Sequence, residues 1–202
     1  MFFSFEGIDG SGKSTQARLL ADALRQRGLD VVEVREPGGT ELGERIRALL
    51  LNPEADINGR AELLLFSAAR AQLVSAVVRP ALARGAVVIA DRFHDSATAY
   101  QGAGRGLANP DWLAALHRFA TFDTLPARTY FVDVDLETAE ARRGDRASDR
   151  MEREGQDYFE RIRTAYLRIA AEEQARVCTL DGRAPVDEIQ ATVLTDAVRH
   201  LS

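Results

Sequence analysis

Short apolar runs alternate along the whole chain with longer stretches in which apolar residues recur at helical spacing. This alternation is typical of βαβ units, in which helices join parallel strands and cover the sheet. The predicted strands are residues 2–6, 31–36, 86–90, 129–134 and 177–180. The predicted helices span about residues 13–26, 41–51, 60–84, 157–173 and 186–201, with one more after the fourth strand. We therefore expect a three-layer α/β fold with a parallel five-stranded sheet flanked by helices.

The predicted helix at residues 60–84 is apolar around much of its circumference. A helix of this kind is normally buried on more than one side. We expect its second buried side to face another copy of the chain in a homodimer. Its apolar residues are Leu63, Leu64, Leu65, Phe66, Leu73, Val74, Val77, Val78 and Leu82.

Composition narrows the class of protein without revealing its chemistry. The 202 residues, 46% of them hydrophobic, suit one domain covering residues 1–202. The net charge of −5 gives no electrostatic reason to expect nucleic acid as a partner. A single cysteine, Cys178, suits a reducing compartment, and we see no basic leader or bilayer-length apolar run. We expect a cytoplasmic protein with no membrane partner.

The strongest chemical signal surrounds Lys13, the only lysine in a chain whose Lys+Arg count is 26. Lys13 belongs to a Gly-x-x-x-x-Gly-Lys-Ser phosphate loop between a predicted strand and a predicted helix, which indicates a P-loop NTPase fold. Such a loop turns successive backbone N–H groups toward phosphate oxygens, and its compact ammonium fits between the β- and γ-phosphates. Ser14 is placed to bind Mg²⁺. The expected ATP-binding residues are Gly7, Ile8, Asp9, Gly10, Ser11, Gly12, Lys13, Ser14 and Thr15.

The residues outside this loop indicate which reaction the protein catalyses. A GTPase switch normally carries an Asn-Lys-x-Asp motif, which a chain with no second lysine cannot contain. Arginines at a strand end instead favour phosphoryl transfer between two nucleotides, because the charge on both phosphate groups must be neutralised. Arg92 directly follows the strand at residues 86–90 and could hold an acceptor phosphate. A surface ion pair between Asp91 and Arg92 is the alternative interpretation.

Two further groups have both a functional and a structural interpretation. Phe66 and Arg70 share one helical face, where they could stack on a base and bind its exocyclic oxygen, although a helical Phe is most often core. The arginine-rich stretch at about residues 142–154 could be a mobile lid that closes over the triphosphate. A solvated, salt-bridged helix surface is the alternative for that stretch.

Taken together, these residues resemble the thymidylate kinase family, in collinear blocks that cover nearly the whole chain. The resemblance implies the reaction ATP + dTMP ⇌ ADP + dTDP in dTTP biosynthesis, with ATP as co-substrate, Mg²⁺ as cofactor and a homodimeric enzyme. The matching blocks are residues 5–16, 35–40, 66–70, 91–102, 130–135 and 149–152.

The resemblance also implies roles for individual residues. Asp9 would bind the sugar 3′-hydroxyl of dTMP, Phe66 would stack on thymine, and Arg70 would contact the carbonyl edge of the base. Arg92 would hold the dTMP phosphate, and Tyr100 would crowd the 2′ position and so favour deoxyribose. The remaining implied substrate-binding residues are Glu36, Pro37, Arg47, Ser96 and Gln101, with Thr98 or Gln101 meeting pyrimidine N3.

One position sorts the chain within the family. Some members carry an arginine inside the phosphate loop where this chain has Gly10, and the others supply that positive charge from the lid. The resemblance therefore implies the lid-arginine type. Asp91 is a second candidate for the metal beside Ser14. The expected catalytic residues are Lys13, Asp9, Arg92, Arg143, Arg146 and Arg150.

Two other functions remain open at this point. One is a kinase for another nucleoside or deoxynucleoside monophosphate, although Phe66, Arg70 and Tyr100 argue against it. The other is an ATP-dependent switch or binding module, which leaves the block at residues 91–101 unexplained.

Overall fold

A computed structural model of the chain describes residues 1–107, 109–144, 150–151 and 154–201. Its sheet has five strands, all parallel, in the order β2-β3-β1-β4-β5. The strands are β1 (Phe2–Glu6), β2 (Val31–Arg35), β3 (Val87–Asp91), β4 (Arg128–Asp133) and β5 (Val177–Asp181). The five predicted strands are confirmed, with ends that differ by one residue at most.

Helices cover both faces of this sheet. They are α1 (Lys13–Arg25), α2 (Glu41–Leu51), α3 (Gly59–Leu73), α4 (Arg79–Ala83), α5 (His94–Ala97), α6 (Pro110–Thr121), α7 (Leu136–Arg143), α8 (Gln156–Glu172) and α9 (Val186–Leu201). Two π-helical segments, Val74–Val78 and Thr98–Gly104, continue α3 and α5. The expectation of a parallel sheet flanked by helices is thereby confirmed.

Alternating strand residues divide the core between the two faces. Phe3 and Phe5 of β1 pack in one fully buried cluster with Leu20 of α1 and Val193 of α9. Phe2 points to the other face and packs with the cluster that includes the segment Val74–Val78. A strand buried on both faces in this way is typical of a parallel sheet.

The predicted single helix at residues 60–84 is interrupted by a π-helical turn between α3 and α4. Pro80 lies in the first turn of α4, immediately after the segment Val74–Val78. A proline has no N–H to donate, and its ring crowds the carbonyl four residues earlier, which here belongs to Ala76. The wider π turn accommodates that ring and lets the chain continue in the same direction.

By length and composition alone, the stretch Gly59–Ala83 could also cross a bilayer, with a mean hydropathy of 1.5. A core helix passes the same test, and Leu73, Val74 and Val78 are fully buried against the sheet. The stretch also buries the charged Glu62 and Arg70. Length and hydropathy are therefore weak evidence for a membrane span here.

Strand order brings three segments to one edge of the sheet. β1 and β3 are neighbours, with Phe5 paired to Asp91, so the phosphate loop after β1 lies beside Arg92. β2 lies on the far side of β3 and pairs Arg35 with Asp91, which brings Glu36 to the same edge. The carboxyl edge of an open α/β sheet is where such folds bind ligands.

Candidate active site

The phosphate loop has a conformation that two of its glycines make possible. Gly10 and Gly12 have φ angles of 91° and 99°, in the region that side chains disfavour. A Cβ atom at Gly10 would also collide with the backbone carbonyl of Ala139 in α7. The helix α7 therefore packs directly on the loop at Gly10 and leaves no room there for a side chain.

The N-terminus of α1 provides the anion-binding end of the loop. Gly12 caps this helix without a side-chain hydrogen bond, and no acidic residue occupies its first turn. Its first N–H groups consequently remain available to phosphate oxygens, supported by the positive end of the helix dipole. Lys13, the first helical residue, is buried, and Ser14 beside it is exposed.

Asp9 joins this loop to the arginine that follows β3. One oxygen, Oδ1, accepts a hydrogen bond from Lys13 Nζ at 3.1 Å and another from Arg92 Nη2 at 3.0 Å. Burial favours the neutral form of Asp9, but the charges of Arg92 and Lys13 outweigh it and hold the pKa of that carboxyl well below its usual range. Asp9 therefore remains a carboxylate that holds two cations close together.

Arg92 is fixed from several sides. It adopts a left-handed backbone conformation with φ of 69°, which costs a non-glycine residue about 1 kcal/mol. Its guanidinium donates to Ser96 Oγ at 3.0 Å and to the Tyr100 hydroxyl at 3.1 Å. The guanidinium carbon also lies 4.9 Å from the centre of the Tyr100 ring. An arginine held in this way is pre-organised to bind an anion.

Behind Arg92 lies a buried carboxyl group, Glu6, that was not among the predicted site residues. Its oxygens accept hydrogen bonds from Phe93 N at 2.8 Å, Ser96 Oγ at 2.6 Å and the Tyr166 hydroxyl at 3.0 Å. Burial, reinforced by the nearby charge of Asp95, raises the pKa of Glu6 to about 7. Glu6 thereby orders Ser96, which in turn accepts from Arg92.

Arg70 and Glu36 form a buried ion pair at the far end of the site. Arg70 Nε and Nη2 donate to the Glu36 carboxylate at 2.9 and 2.6 Å, and both side chains are almost inaccessible to solvent. The third nitrogen, Arg70 Nη1, is buried without a hydrogen-bond partner in the described part of the chain. A buried donor in this state is suited to an acceptor on a ligand.

These groups surround one cavity of about 400 Å³ at the sheet edge. All ten residues expected to bind the acceptor substrate line it, together with Lys13 and Ser14 of the phosphate loop and Met151. The ten are Asp9, Glu36, Pro37, Arg47, Phe66, Arg70, Arg92, Ser96, Tyr100 and Gln101. Thr98 is not among the lining residues and instead bonds to His117 at 3.0 Å. Of the two candidates for pyrimidine N3, only Gln101 faces the cavity.

The cavity also contains oxygen atoms that could serve as ligands for Mg²⁺. The exposed hydroxyl of Ser14 and the carboxylate of Asp91 both line it. Asp91 Oδ1 is buried and has no hydrogen-bond partner among residues that the structure describes. Mg²⁺ prefers a few such oxygens together with water and substrate phosphates, so these two residues fit the ion.

The predicted lid arginines are found in different places. Arg143 Nη2 lies 3.6 Å from Glu140, and Arg150 donates to Glu62 at 2.6 Å and to the Leu50 carbonyl at 2.9 Å. Arg146 lies outside the described residues. In this arrangement Glu62 holds Arg150, which is not among the residues that line the cavity.

Comparison with known proteins identifies the family. The model of the family described as thymidylate kinase matches residues 5–193. The chain is 47% identical to a thymidylate kinase of Fervidobacterium nodosum, covering 96% of each chain, and 48% identical to that of Pseudomonas putida, covering 96% of this chain and 94% of the other. The crystal structure of thymidylate kinase from Ehrlichia chaffeensis superposes with a TM-score of 0.80 at 32% identity, covering 98% and 97% of the two chains. The chain belongs to the thymidylate kinase family.

Proposed function

We propose that this chain transfers the terminal phosphoryl group of ATP to dTMP, giving ADP and dTDP, in the cavity between the phosphate loop and α3. The observation that carries the proposal is the single oxygen of Asp9 shared by Lys13 and Arg92. One cation belongs to a loop that binds nucleoside triphosphates, and the other follows the neighbouring strand. Because the two cations are so close, each could bind one phosphate group and hold the two groups side by side, as direct in-line transfer requires.

The phosphate loop would hold ATP. The N–H groups of residues 7–15 and the ammonium of Lys13 would bind its β- and γ-phosphates. Ser14 and, as a second candidate, Asp91 would hold Mg²⁺, which neutralises phosphate charge when bound.

On the acceptor side, Arg92 would bind the dTMP phosphate, with Ser96 and Tyr100 keeping the guanidinium in place. Asp9 would also accept a hydrogen bond from the sugar 3′-hydroxyl, and Tyr100 would leave no room for a 2′-hydroxyl. A phosphate monoester is largely ionised near neutral pH, so a general base is not needed to activate it. The protein would therefore act through alignment and electrostatic stabilisation.

The base would lie between the Phe66 ring and the buried hydrogen-bond donor Arg70 Nη1. Phe66 would stack on thymine, while Arg70 Nη1 would donate to a carbonyl oxygen of the base. Glu36 would hold Arg70 in position through their buried ion pair, and Pro37 and Arg47 would shape the remaining wall. In support of the last point, Arg47 donates to the Pro37 carbonyl at 2.9 Å.

The positive charge for the transferred phosphoryl group would come from a lid at about residues 142–154. Arg143 is the first candidate to test, because it is the last residue of α7, the helix whose Ala139 packs against Gly10 of the phosphate loop. Arg146 and Arg150 remain candidates from the sequence.

The proposal includes a cytoplasmic homodimer of one domain, residues 1–202, with no nucleic-acid or membrane partner. The homodimer is supported by exposed apolar side chains on α3 and α6, two helices in contact, where Leu64 and Phe119 are 55% and 82% exposed. Trp112 of α6 and Phe122 just after this helix are exposed as well. Exposed apolar side chains in such number commonly mark a subunit interface.

Product stoichiometry tests the reaction. With ATP, Mg²⁺ and dTMP, phosphorus NMR should show ADP and dTDP forming in equal amounts, with no inorganic phosphate. An ATP-dependent switch would instead release inorganic phosphate without needing an acceptor, and this result would overturn the proposal.

A further inference from the structure

A fully buried carboxylate, Glu62, lies on α3 one helical turn before Phe66. Its Oε1 accepts hydrogen bonds from Gln101 Nε2 at 2.8 Å and Arg105 Nε at 3.1 Å. Its Oε2 accepts from Arg105 Nη2 at 3.0 Å and Arg150 Nη2 at 2.6 Å. Glu62 itself does not line the cavity, but its partner Gln101 does.

The chemistry of Glu62 fixes which end of the Gln101 amide it can bind. Burial favours the neutral form of Glu62, but hydrogen bonds from Arg105, Gln101 and Arg150 outweigh it and lower its pKa. An ionised carboxylate only accepts hydrogen bonds. The Gln101 amide must therefore present its NH₂ group to Glu62, because the flipped amide would set two acceptor oxygens against each other.

With the NH₂ group held by Glu62, the carbonyl oxygen Oε1 is the end of the amide that Gln101 offers to the cavity. That oxygen can accept a hydrogen bond from a ring N–H but cannot donate one to a ring nitrogen. N3 of thymine and uracil carries a hydrogen, whereas N3 of cytosine is an acceptor. A glutamine free to flip would satisfy either kind of base.

We infer that Glu62 is a positioning residue for base selection, which locks the Gln101 amide so that the site accepts thymine and rejects cytosine. The inference rests on the proposed function, since it requires the base of the acceptor to lie against Phe66. Glu62 would act only through Gln101 and would not touch the substrate. Removing its charge should therefore alter the choice of base, beyond any general loss of binding.

The primary test is Glu62→Gln, in which the new amide can either donate or accept and so lets Gln101 flip. Dissociation constants for dTMP and dCMP would be measured by titration calorimetry on the full chain. We expect the ratio of the dCMP dissociation constant to the dTMP dissociation constant to fall about tenfold. This is the effect of one hydrogen bond gained for cytosine and one lost for thymine. Arg70 would still oppose the 4-amino group of cytosine, so the preference should narrow without reversing.

Arg105→Gln is the matched control. It removes an ion pair from the same carboxylate but leaves Glu62 charged, so the ratio of the two dissociation constants should stay within about twofold of wild type. If Glu62→Gln does not fold because Arg105 and Arg150 lose the carboxylate they share, the double variant Glu62→Gln with Arg105→Gln removes one of these two cations as well. That variant should show the same narrowing as Glu62→Gln.

A second comparison shows whether the effect passes through Gln101. In a Gln101→Met background no amide remains to flip, so adding Glu62→Gln should change the ratio by less than about twofold. An equal loss of dTMP and dCMP affinity in Glu62→Gln would overturn the inference and leave a purely structural role. A wild-type enzyme that fails to phosphorylate dTMP would instead overturn the proposed function.

Discussion

Lys13 and Arg92 donate hydrogen bonds to the same oxygen of Asp9, although they follow different strands of the sheet. The contact exists because β1 and β3 are parallel neighbours whose carboxyl ends coincide. A carboxylate between two cations keeps them close despite their mutual repulsion. Under the proposed function, the donor phosphate and the acceptor phosphate would meet at this point.

Lys13→Arg should abolish most activity while leaving the protein folded. The lysine is buried in the loop, where the wider guanidinium cannot take the place of the compact ammonium. We expect kcat to fall by about 100-fold or more, the usual effect of losing one preorganised charge-stabilising contact. Steady-state kinetics and a thermal melt of the same preparation would check both parts, and normal turnover would contradict the role of Lys13.

Arg143→Ala should lower turnover more than it lowers dTMP binding. A group that acts on the transferred phosphoryl contributes mainly in the transition state, so we expect kcat to fall about 10- to 100-fold with KM for dTMP within about threefold. The same direction is predicted for Arg146→Ala.

Arg142→Ala is the matched neighbour for this experiment. Arg142 donates to the carbonyl of Gly182 at 2.8 Å and, more weakly, to that of Ser11 at 3.4 Å, so it joins α7 to the ATP side of the site. Its loss should raise KM for ATP more than it lowers kcat. Equal losses of turnover and dTMP affinity in Arg143→Ala would argue against a transition-state role.

Arg70→Met should destabilise the protein as well as weaken dTMP binding. It would leave the buried carboxylate of Glu36 without its partner, which typically costs about 3–5 kcal/mol. The double variant Glu36→Gln with Arg70→Met should recover part of that stability but none of the dTMP affinity. Urea denaturation and calorimetry measure the two effects separately, and an unchanged unfolding free energy in Arg70→Met would contradict the buried pair.

Glu6→Gln should change how stability depends on pH. The pKa of Glu6 is raised from 4.5 to about 7 in the folded chain, so the folded state binds more protons than the unfolded state between these values. The contribution of Glu6 to stability is therefore complete at low pH and is lost as pH rises through about 7. The unfolding free energy of the variant minus that of wild type should increase across this window and level off above it.

The measurement for Glu6 is urea denaturation of both proteins at several pH values from about 5 to 8. Taking the difference between the two unfolding free energies cancels the contributions of titrating groups that both proteins contain, including the buried His94. A difference that does not vary with pH would show that Glu6 titrates normally.

Local patterns predicted the strands and the phosphate loop well, because alternation and glycine spacing express backbone geometry directly. The helix α6 was missed, although Asn109 followed by Pro110 is a helix-start signal and Asn109 does cap it. The π turn before Pro80 was missed as well, since apolar periodicity does not reveal a local widening of the helix.

The cavity residues were predicted through family resemblance, but their supporting partners were not. Glu62 reaches Gln101 across 39 positions, and Glu6 reaches Tyr166 across 160. Neither partnership leaves a local pattern, because each depends on how distant elements pack. The one local signal for Glu62 is its position one turn before Phe66, on the same face of a helix predicted to bind a base.

The most direct test of the central claim is the specificity constant of the wild-type enzyme, measured by coupled ADP release with ATP and Mg²⁺. The acceptors would be dTMP, dUMP, UMP, dCMP, AMP and GMP. The arrangement of Phe66, Arg70 and Tyr100 around the cavity predicts a strong preference for dTMP and no ADP release without an acceptor. A preference for another monophosphate, or ADP release at the same rate with and without an acceptor, would contradict the account.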